Sequence, residues 1–348
     1  MRTSQFSLPL SRPLATASGT IEAREGVVVR YDHRGHTGVG EATPLPDWTE
    51  SLTDCRAALE TAGDAESRGG HTAAMLELAA DSVPAARHGF ATALLDADAR
   101  ADGVPLYRWF DDGRRCESVP INATVGDSDP EETADAVAQA VAGGFDCCKL
   151  KVGARPVPAD IERVRAVRER VGDAITLRAD ANAAWNREQA AEAFDALADL
   201  DVAYVEQPLS ADDLAGHAAL RGGPVGVALD ESLVHRRADA VLSADAADVV
   251  ILKPMVLGGP GNAHTLALRA RERGIEPVVT TTIDGVVARL AALHVAAAVP
   301  DIGACGLATG DRLERDLAPD PATVTDGGMT VPQADGLGVD PAEVAPDA

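Results

Sequence analysis

Three lysines are the residues of this sequence most suited to proton chemistry. Of 31 basic residues in a chain of 348, only Lys149, Lys151 and Lys253 are lysines, and the other 28 are arginines. An amine that must lose its proton cannot be replaced by arginine, which stays protonated at any working pH. A lysine beside a second cation in a desolvated pocket has a lowered pKa and can act as a general base. We therefore expect a catalytic centre in which Lys149 tunes Lys151 and Lys253 faces it.

Three carboxylates, Asp180, Glu206 and Asp230, stand at the ends of consecutive predicted strands. Side chains at the carboxyl ends of barrel strands point into one site, where three acids would repel each other without a cation. Ligands that are all oxygens favour a hard divalent ion, with Mg²⁺ as the first choice and Mn²⁺ as a substitute. A single acid at such a turn is often only a helix N-cap. All three acids together with the lysines favour a metal site.

The elements that position these residues recur from residue 121 onwards as a short β-branched run, a polar turn and an Ala-rich helical stretch. The predicted strands are 121–125, 148–152, 175–180, 203–206, 225–230, 249–253, 277–281 and 304–307, and the clearest predicted helices are 131–142, 159–171, 187–200 and 261–273. Strict alternation of strands with helices predicts a parallel sheet, and eight strands predict a closed barrel. Alternation also places Lys149 and Lys151 on one inward face.

The expected fold class is therefore α/β, a (β/α)7β-type TIM-like barrel with an N-terminal α+β capping domain. We place the capping domain at 1–118, with hairpin strands at 26–31 and 38–41 and helices at 53–66 and 71–78. The barrel spans 119–317. The tail, 318–348, contains a short hairpin at 323–332 and is expected to pack back on the capping domain.

The amino-acid composition limits the classes of partner that we expect. The formal charge of −24 repels nucleic acids and anionic membranes, so we expect neither as a partner. No stretch reaches the length of a membrane span and the N-terminus has no signal-peptide pattern, which predicts a cytoplasmic protein. The five cysteines are expected to be reduced thiols, and the acidic, arginine-rich composition suggests a halophilic source. The oligomeric state is left open.

The motifs Lys149-Leu-Lys151, Asp180-Ala-Asn182, Glu206-Gln-Pro, Asp230-Glu231-Ser and Lys253-Pro together resemble the enolase superfamily, in its muconate-cycloisomerase subgroup. The resemblance implies Mg²⁺ on the three acids, with Asn182 and Glu231 behind them. It implies that Lys151 removes the proton α to a substrate carboxylate. It also implies that Lys253 stays protonated and stabilises the enediolate that results.

Within the subgroup, segments 41–46, 253–259, 280–284 and 306–313 are most similar to the o-succinylbenzoate synthases. These enzymes dehydrate 2-succinyl-6-hydroxy-2,4-cyclohexadiene-1-carboxylate. The subgroup's dipeptide epimerases carry an Asp-x-Asp at strand eight to hold the substrate amine, and Cys305-Gly306-Leu307 offers no such pair. N-acylamino acid racemisation, dipeptide epimerisation and muconate cycloisomerisation remain alternatives of the same chemistry, and a non-catalytic carboxylate-binding barrel is an alternative of another class.

A small-molecule carboxylate is thus the expected partner, and six residues are candidates for binding it. Alternation points Arg178 inward, where it orients the substrate carboxylate or forms a structural salt bridge. We expect the backbone amides of Thr281, Thr282 and Gly306 to hold the succinyl arm. Residues 15–20, including Ser18, are expected to form a mobile loop that closes the site, and Trp48 is expected to supply apolar surface over the substrate.

Overall fold

The computed structural model describes residues 1–16, 19–235 and 238–345 of the chain, so Ser18 lies outside the described residues. The N-terminal part contains an antiparallel sheet, β1 Arg2–Thr16, β2 Gly19–His33 and β3 His36–Ala42, in that order. Three helices follow, α1 Leu52–Glu77, α2 Pro84–Ala101 and α3 Leu106–Phe110. The predicted pair of helices is present within α1, because Gly70, with a φ of 71°, breaks the helical backbone and divides α1 into two helical parts.

Strand β1 was not predicted, and it changes the interpretation of the expected mobile loop. Thr16 pairs with Gly19 and Ala15 with Thr20, so strand pairing between β1 and β2 runs through most of segment 15–20. These four residues therefore lie in paired strands, where a loop was predicted, while Ala17 and Ser18 lie outside the described residues. Backbone hydrogen bonds of a hairpin hold them instead.

Helix α2 lies directly on strand β3, and two glycines allow the close approach. A Cβ on Gly40 would lie 1.9 Å from the carbonyl oxygen of Gly89, and one on Gly38 would lie 2.0 Å from that of Ala93. Any larger residue at these positions would push the helix off the sheet. The capping sheet is therefore rigidly backed by a helix.

A seven-stranded parallel sheet forms the second part of the chain. Its strands are β5 Ala123–Val125, β6 Cys147–Lys151, β7 Thr176–Asp180, β8 Val202–Glu206, β9 Gly226–Leu229, β10 Val249–Leu252 and β11 Glu276–Val279. Bridges from Ile121 to Cys305 and from Thr280 to Gly306 join its two edges. The predicted barrel is confirmed, although the eighth strand is reduced to these two bridging residues.

Helices cover the barrel between the strands. They are α4 Pro130–Ala142, α5 Val157–Val171, α6 Arg187–Ala198, α7 Leu214–Leu220, α8 Glu231–His235, α9 Ala238–Ser243, α10 Pro260–Arg271 and α11 Val286–Ala298. Asp129, Asn186 and Asp213 cap three of them with side-chain oxygens. Helix α11 is buried on every side, because it also contacts the capping sheet and α2.

The C-terminal segment returns to the first part of the chain. After a 3-10 turn, Gly310–Arg312, the hairpin β12 Val324–Thr325 and β13 Gly328–Thr330 adds to β4, Ser118–Pro120. Further on, the amide of Leu337 donates to Asp96 at 2.8 Å. In the part of the chain that the structure describes, no helix has the length and apolarity to span a membrane.

Candidate active site

The strand register brings the predicted acids and lysines to one end of the barrel. Lys151 is the Cα partner of Asp180, and Asp180 is the partner of Glu206 on the next strand. Asp230 follows β9 directly and Lys253 follows β10. All three carboxylates are at least 97% buried. The structure thus gathers both sets of sequence-predicted residues into one cluster.

Lys149 lies deepest between two of the acids. Its Nζ is 2.9 Å from Oε2 of Glu206 and 3.1 Å from Oδ2 of Asp180. Burial disfavours its charge, but the two carboxylates outweigh burial and hold its pKa well above the ordinary value. Lys149 is therefore a permanent cation that neutralises the acids.

Lys151 occupies the open side of the same cluster. Its Nζ lies 2.7 Å from Oδ2 of Asp180 and 2.7 Å from Oδ1 of Asn182. Its side chain is 39% exposed, against 16% for Lys149 and 12% for Lys253. Lys151 is the lysine of the cluster most accessible to a molecule that enters from solvent.

Lys253 approaches the cluster from the opposite side. Its Nζ forms an ion pair with Oδ2 of Asp230 and lies 3.6 Å from the centre of the Trp48 ring. A cation so close to an indole face is held by the electrons of the ring. Trp48 also borders an open cleft of about 680 Å³ between the capping domain and the barrel. The capping domain thus supplies one wall of the site at Lys253.

The carboxylates have unequal proton affinities. Burial and repulsion from Asp180 and Asp230 raise the pKa of Glu206 to about 7. For Asp180, burial is outweighed by Lys149 and Lys151, which lower its pKa. Burial also raises the pKa of Asp230, although Lys253 opposes the shift. Burial therefore makes Glu206 and Asp230 bind a proton more readily than Asp180, although each of the three acids is paired with a lysine.

The donor set fits a hard divalent cation. Oxygens of three buried carboxylates converge, and Oε2 of Glu231 is buried without a hydrogen-bond partner in the described residues. Each of the three acids forms an ion pair with a lysine. Across residues 1–16, 19–235 and 238–345, no group of three acidic, histidine or cysteine side chains is arranged to hold a metal ion. A cation would take the oxygens that the lysines now hold.

Two amide side chains fix the geometry behind the acids. Asn182 accepts from Lys151 and donates to Oε1 of Glu231 at 3.1 Å, as its predicted supporting position implies. Gln207, which sequence reasoning did not single out, accepts at 3.1 Å from the backbone amides of both Asp230 and Ser232. Its only sequence signal was its position directly after Glu206. Gln207 thereby fixes where Asp230 enters the cluster.

Arg178 takes neither of its two expected roles. Its guanidinium donates to the carbonyl of Ala304 at 2.6 Å and to Oδ1 of Asn122 at 3.4 Å, and it stacks on the ring of Tyr204. No carboxylate of the described residues forms a salt bridge with it. Arg178 is 93% buried, so it ties strand β7 to the closing segment and is not placed to bind a substrate carboxylate.

The amides expected to hold a substrate arm are largely engaged within the fold. Gly306 donates its amide to Val279 at 2.9 Å, and Thr282 donates its amide to Asp284 at 3.1 Å. The hydroxyl of Thr281 pairs with that of Thr309 at 2.9 Å. Barrel closure and the turn after β11 therefore use the Gly306 and Thr282 amides, which corrects the prediction for both.

Comparison with known proteins gives the two parts of the chain separate matches. Residues 132–345 match the family described as enolase C-terminal domain-like. Residues 2–109 match the N-terminal domain family of mandelate racemase and muconate lactonizing enzyme. The second match covers the antiparallel sheet and its helices, and the first covers most of the barrel and the tail.

Individual relatives differ in their reactions. The chain is 31% identical to the L-Ala-D/L-Glu epimerase of Bacillus subtilis over 97% of this chain and 95% of that one, and a substrate-liganded structure of that enzyme superimposes with a TM-score of 0.86, covering 97% of both chains. The o-succinylbenzoate synthase of Thermobifida fusca is 38% identical, over 63% of this chain and 68% of the synthase. A dipeptide epimerase from Enterococcus faecalis, solved with Mg and a dipeptide, is 28% identical, with a TM-score of 0.83 over 97% and 98%.

Proposed function

This chain belongs to the enolase superfamily, and on that premise we propose that it dehydrates 2-succinyl-6-hydroxy-2,4-cyclohexadiene-1-carboxylate to o-succinylbenzoate with the help of Mg²⁺. The observation that carries the proton abstraction in this proposal is the cluster of three lysines on three buried carboxylates. Lys151, the exposed member, stands where a carboxylate substrate enters. The neutral closing segment of the barrel favours this substrate over an amine.

The metal has a defined place in this proposal. Asp180, Glu206 and Asp230 would hold Mg²⁺, with Asn182 and Glu231 supporting them from behind. When bound, Mg²⁺ supplies positive charge that stabilises a carboxylate as it gains electron density. Support comes from the acidic donor set and from the dipeptide epimerase that was solved with Mg. Mn²⁺ offers similar oxygen chemistry and is proposed as a substitute.

Lys151 moves the proton. Its amine takes the proton from the ring carbon α to the substrate carboxylate, and the electron pair of that C–H bond passes into an enediolate. The pair then forms the new ring double bond while the C–O bond to the hydroxyl breaks. Lys151 returns its proton to the departing oxygen, so water leaves and the ring becomes aromatic. One base thus serves both steps on one face of the ring.

Lys253 and Lys149 keep their charges in this reaction. Lys253 sits against Asp230 and under Trp48, where it faces the substrate from the side opposite Lys151 and stabilises the anion. Lys149 remains bound to Glu206 and Asp180 and limits their repulsion. Trp48, from the capping domain, excludes water from the Lys253 side.

The closing segment supports the choice of substrate. Residues 304–309 are Ala, Cys, Gly, Leu, Ala and Thr, so no acid at this position could pair with a substrate ammonium. Burying an ammonium without a partner costs several kcal/mol. Similarity to the synthase of Thermobifida fusca points the same way.

Dipeptide epimerisation is the second candidate, because the similarity to the Bacillus subtilis epimerase extends over nearly the whole of both chains. It needs the same proton abstraction, with Lys151 and Lys253 on opposite faces of the α carbon. A barrel that only binds a carboxylate has no need of an accessible lysine beside buried acids, so we do not favour it.

The test is a direct assay. Purified protein is incubated with the cyclohexadiene substrate, and formation of o-succinylbenzoate is followed by absorbance with Mg²⁺ and with a chelator. We expect turnover that requires Mg²⁺. The proposal fails if no product forms with Mg²⁺ present, and α-deuterium incorporation into L-Ala-L-Glu in D₂O would then favour the epimerase.

A further inference from the structure

A buried arginine of the capping sheet forms a hydrogen bond with a turn of the barrel. Arg24, on strand β2, is 98% buried, and its Nε donates to the carbonyl of Ile283 at 3.1 Å. Its two Nη atoms donate to the carbonyls of Thr43 at 2.9 Å and Pro44 at 3.3 Å. One guanidinium therefore joins the end of strand β3 to the turn that follows strand β11.

A buried carboxylate holds the other end of the same turn. Oε1 of Glu41 accepts the amide of Gly285 at 2.7 Å, and Oε2 accepts the amide of Ala288 at 3.0 Å. These amides belong to the start of helix α11, where backbone N–H groups lack partners within the helix. A capping-domain side chain thus completes a barrel helix, and we call Arg24 and Glu41 the clamp.

The turn held by the clamp contains an unfavourable backbone conformation. Ile283 has a φ of 61°, in the left-handed region that β-branched residues strongly disfavour. Such a conformation persists only where surrounding contacts impose it. The carbonyl of Ile283 itself accepts from Arg24, so the capping domain contributes to holding this conformation, beside the hydrogen bonds of Asp284 to Thr282 and Arg289 within the barrel.

The turn lies next to the candidate active site. The amide of Thr280 donates to Leu252 at 3.0 Å, which places Thr280 beside Lys253, the residue after Leu252. Thr281 and Thr282 then lead into Ile283. Arg24 and Glu41 contact neither the lysines nor the acids of the cluster. They can affect the site only through the position of the turn.

We infer that Arg24 and Glu41 are positioning residues, which hold turn 281–285 in a strained form so that it makes the wall of the substrate pocket beside Lys253. The identity of the substrate rests on the proposed function, whereas the clamp itself does not. Loss of the clamp lets Ile283 relax and moves the pocket wall. The cluster that moves the proton stays in place.

The first experiment compares two arginines of the same strand. Arg24→Met removes the clamp, whereas Arg30→Met removes an arginine of β2 that donates to the tail carbonyl of Pro341 at 3.2 Å. We expect Arg24→Met to raise KM roughly tenfold and to change kcat less than about twofold, the pattern expected when ground state and transition state lose the same binding free energy. Arg30→Met should leave both constants near wild type. Equal effects of the two variants on KM would overturn the inference.

A rescue distinguishes positioning from a general loss of packing. Glycine adopts a positive φ without strain, so Ile283→Gly keeps the turn conformation accessible when the clamp is gone. In the double variant Arg24→Met with Ile283→Gly, KM should return most of the way from the raised value of Arg24→Met to that of wild type. A double variant whose KM exceeds that of Arg24→Met contradicts the inference.

Hydrogen exchange tests the clamp without any substrate. We expect peptides that span 280–289 to exchange at least about tenfold faster in Glu41→Gln and Arg24→Lys than in wild type, because the local opening becomes easier. Peptides that span 147–180 should be unchanged. Unaltered exchange at 280–289 in these milder variants would overturn the clamp, even if the protein proved to act on another substrate.

Discussion

The two halves of the barrel mouth differ sharply in chemistry. From β6 to β10 the strand ends carry lysines and buried carboxylates, in ion pairs of 2.7–3.1 Å around Asp180 and Glu206. From β11 through the closing segment to β5 they carry threonine, glycine, cysteine and asparagine, and the buried Asp284 of the turn after β11 is already bonded to Thr282 and paired with Arg24. The charged half fits a reaction common to many carboxylates. The neutral half offers a substrate no ionic partner, so it selects among carboxylates by shape and against those that carry an ammonium.

The largest effect should come from the charged half. We expect Lys151→Ala to lower kcat by about 10³-fold or more, because a positioned general base contributes 10²–10⁴-fold and Lys151 serves twice. The dehydration assay measures it. Lys151→Arg is the matched control, since it keeps the positive charge but cannot release a proton, and it should be equally inactive. Activity retained in Lys151→Arg would remove Lys151 from its role.

A second prediction concerns protons and metal. Below pH 7, Glu206 in the metal-free protein holds a proton, because burial and the neighbouring acids raise its pKa to about 7. Mg²⁺ must displace that proton, so its affinity should fall about tenfold for each pH unit below 7 and level off above it. Calorimetry in two buffers at pH 6 measures the proton released. An affinity independent of pH would contradict the assignment of Glu206.

The raised pKa of Glu206 also determines whether the free energy of unfolding of the metal-free protein rises or falls with pH. Between the ordinary carboxyl pKa of 4.5 and a pH of about 7, folded protein binds the Glu206 proton and the unfolded chain does not. The contribution of this group to the free energy of unfolding therefore falls as pH rises through that window. In a Glu206→Gln variant, residue 206 does not titrate. Its melting temperature, measured from pH 4.5 to pH 7 without metal, should therefore lack this part of the pH dependence.

The charged half was predictable from sequence, and the neutral half was not. Lysine scarcity marked Lys149, Lys151 and Lys253, and their positions at predicted strand ends placed them, because neither signal depends on long-range contacts. The hydrogen bonds of Thr282 and Gly306 depend on barrel closure, which no local pattern records. Arg178 likewise looked like a substrate ligand until its carbonyl acceptor appeared.

The capping domain repeats this lesson. Strand β1 could have been predicted, since Phe6, Leu8 and Leu10 are buried and alternate with Ser7 and Pro9, which are not. Arg24 and Glu41 could not, because a buried charge resembles a surface charge in a sequence so rich in both. Their partners in the barrel lie about 240 to 260 residues away.

A further prediction tests the wall that Trp48 of the capping domain forms at Lys253. Trp48→Leu should raise KM or lower kcat by about three- to tenfold, since a cation–π contact contributes roughly 0.5–2 kcal/mol. Its 3.6 Å contact with Lys253 is the reason for the effect. Trp48→Phe keeps an aromatic face and should lie between wild type and Trp48→Leu. Identical kinetics for all three proteins would contradict a role for the ring.

The smallest effect on the reaction should come from the neutral half. A Cβ on Gly306 would lie 2.6 Å from Oγ1 of Thr280, so Gly306→Ala should cost roughly 1–3 kcal/mol of folding stability. We expect a lower melting temperature with kcat nearly unchanged. Thr280→Ala removes the obstructing hydroxyl, and the double variant should recover part of the loss. An unchanged melting temperature in Gly306→Ala would mean that closure is looser than the structure shows.

The most direct test of the whole account is a ratio. For one preparation with Mg²⁺, kcat/KM is measured for dehydration of the cyclohexadiene carboxylate and for epimerisation of L-Ala-L-Glu. The neutral half should favour dehydration by roughly 100-fold or more, because a buried ammonium without a partner costs several kcal/mol. A ratio near one, or in favour of the dipeptide, would contradict the account.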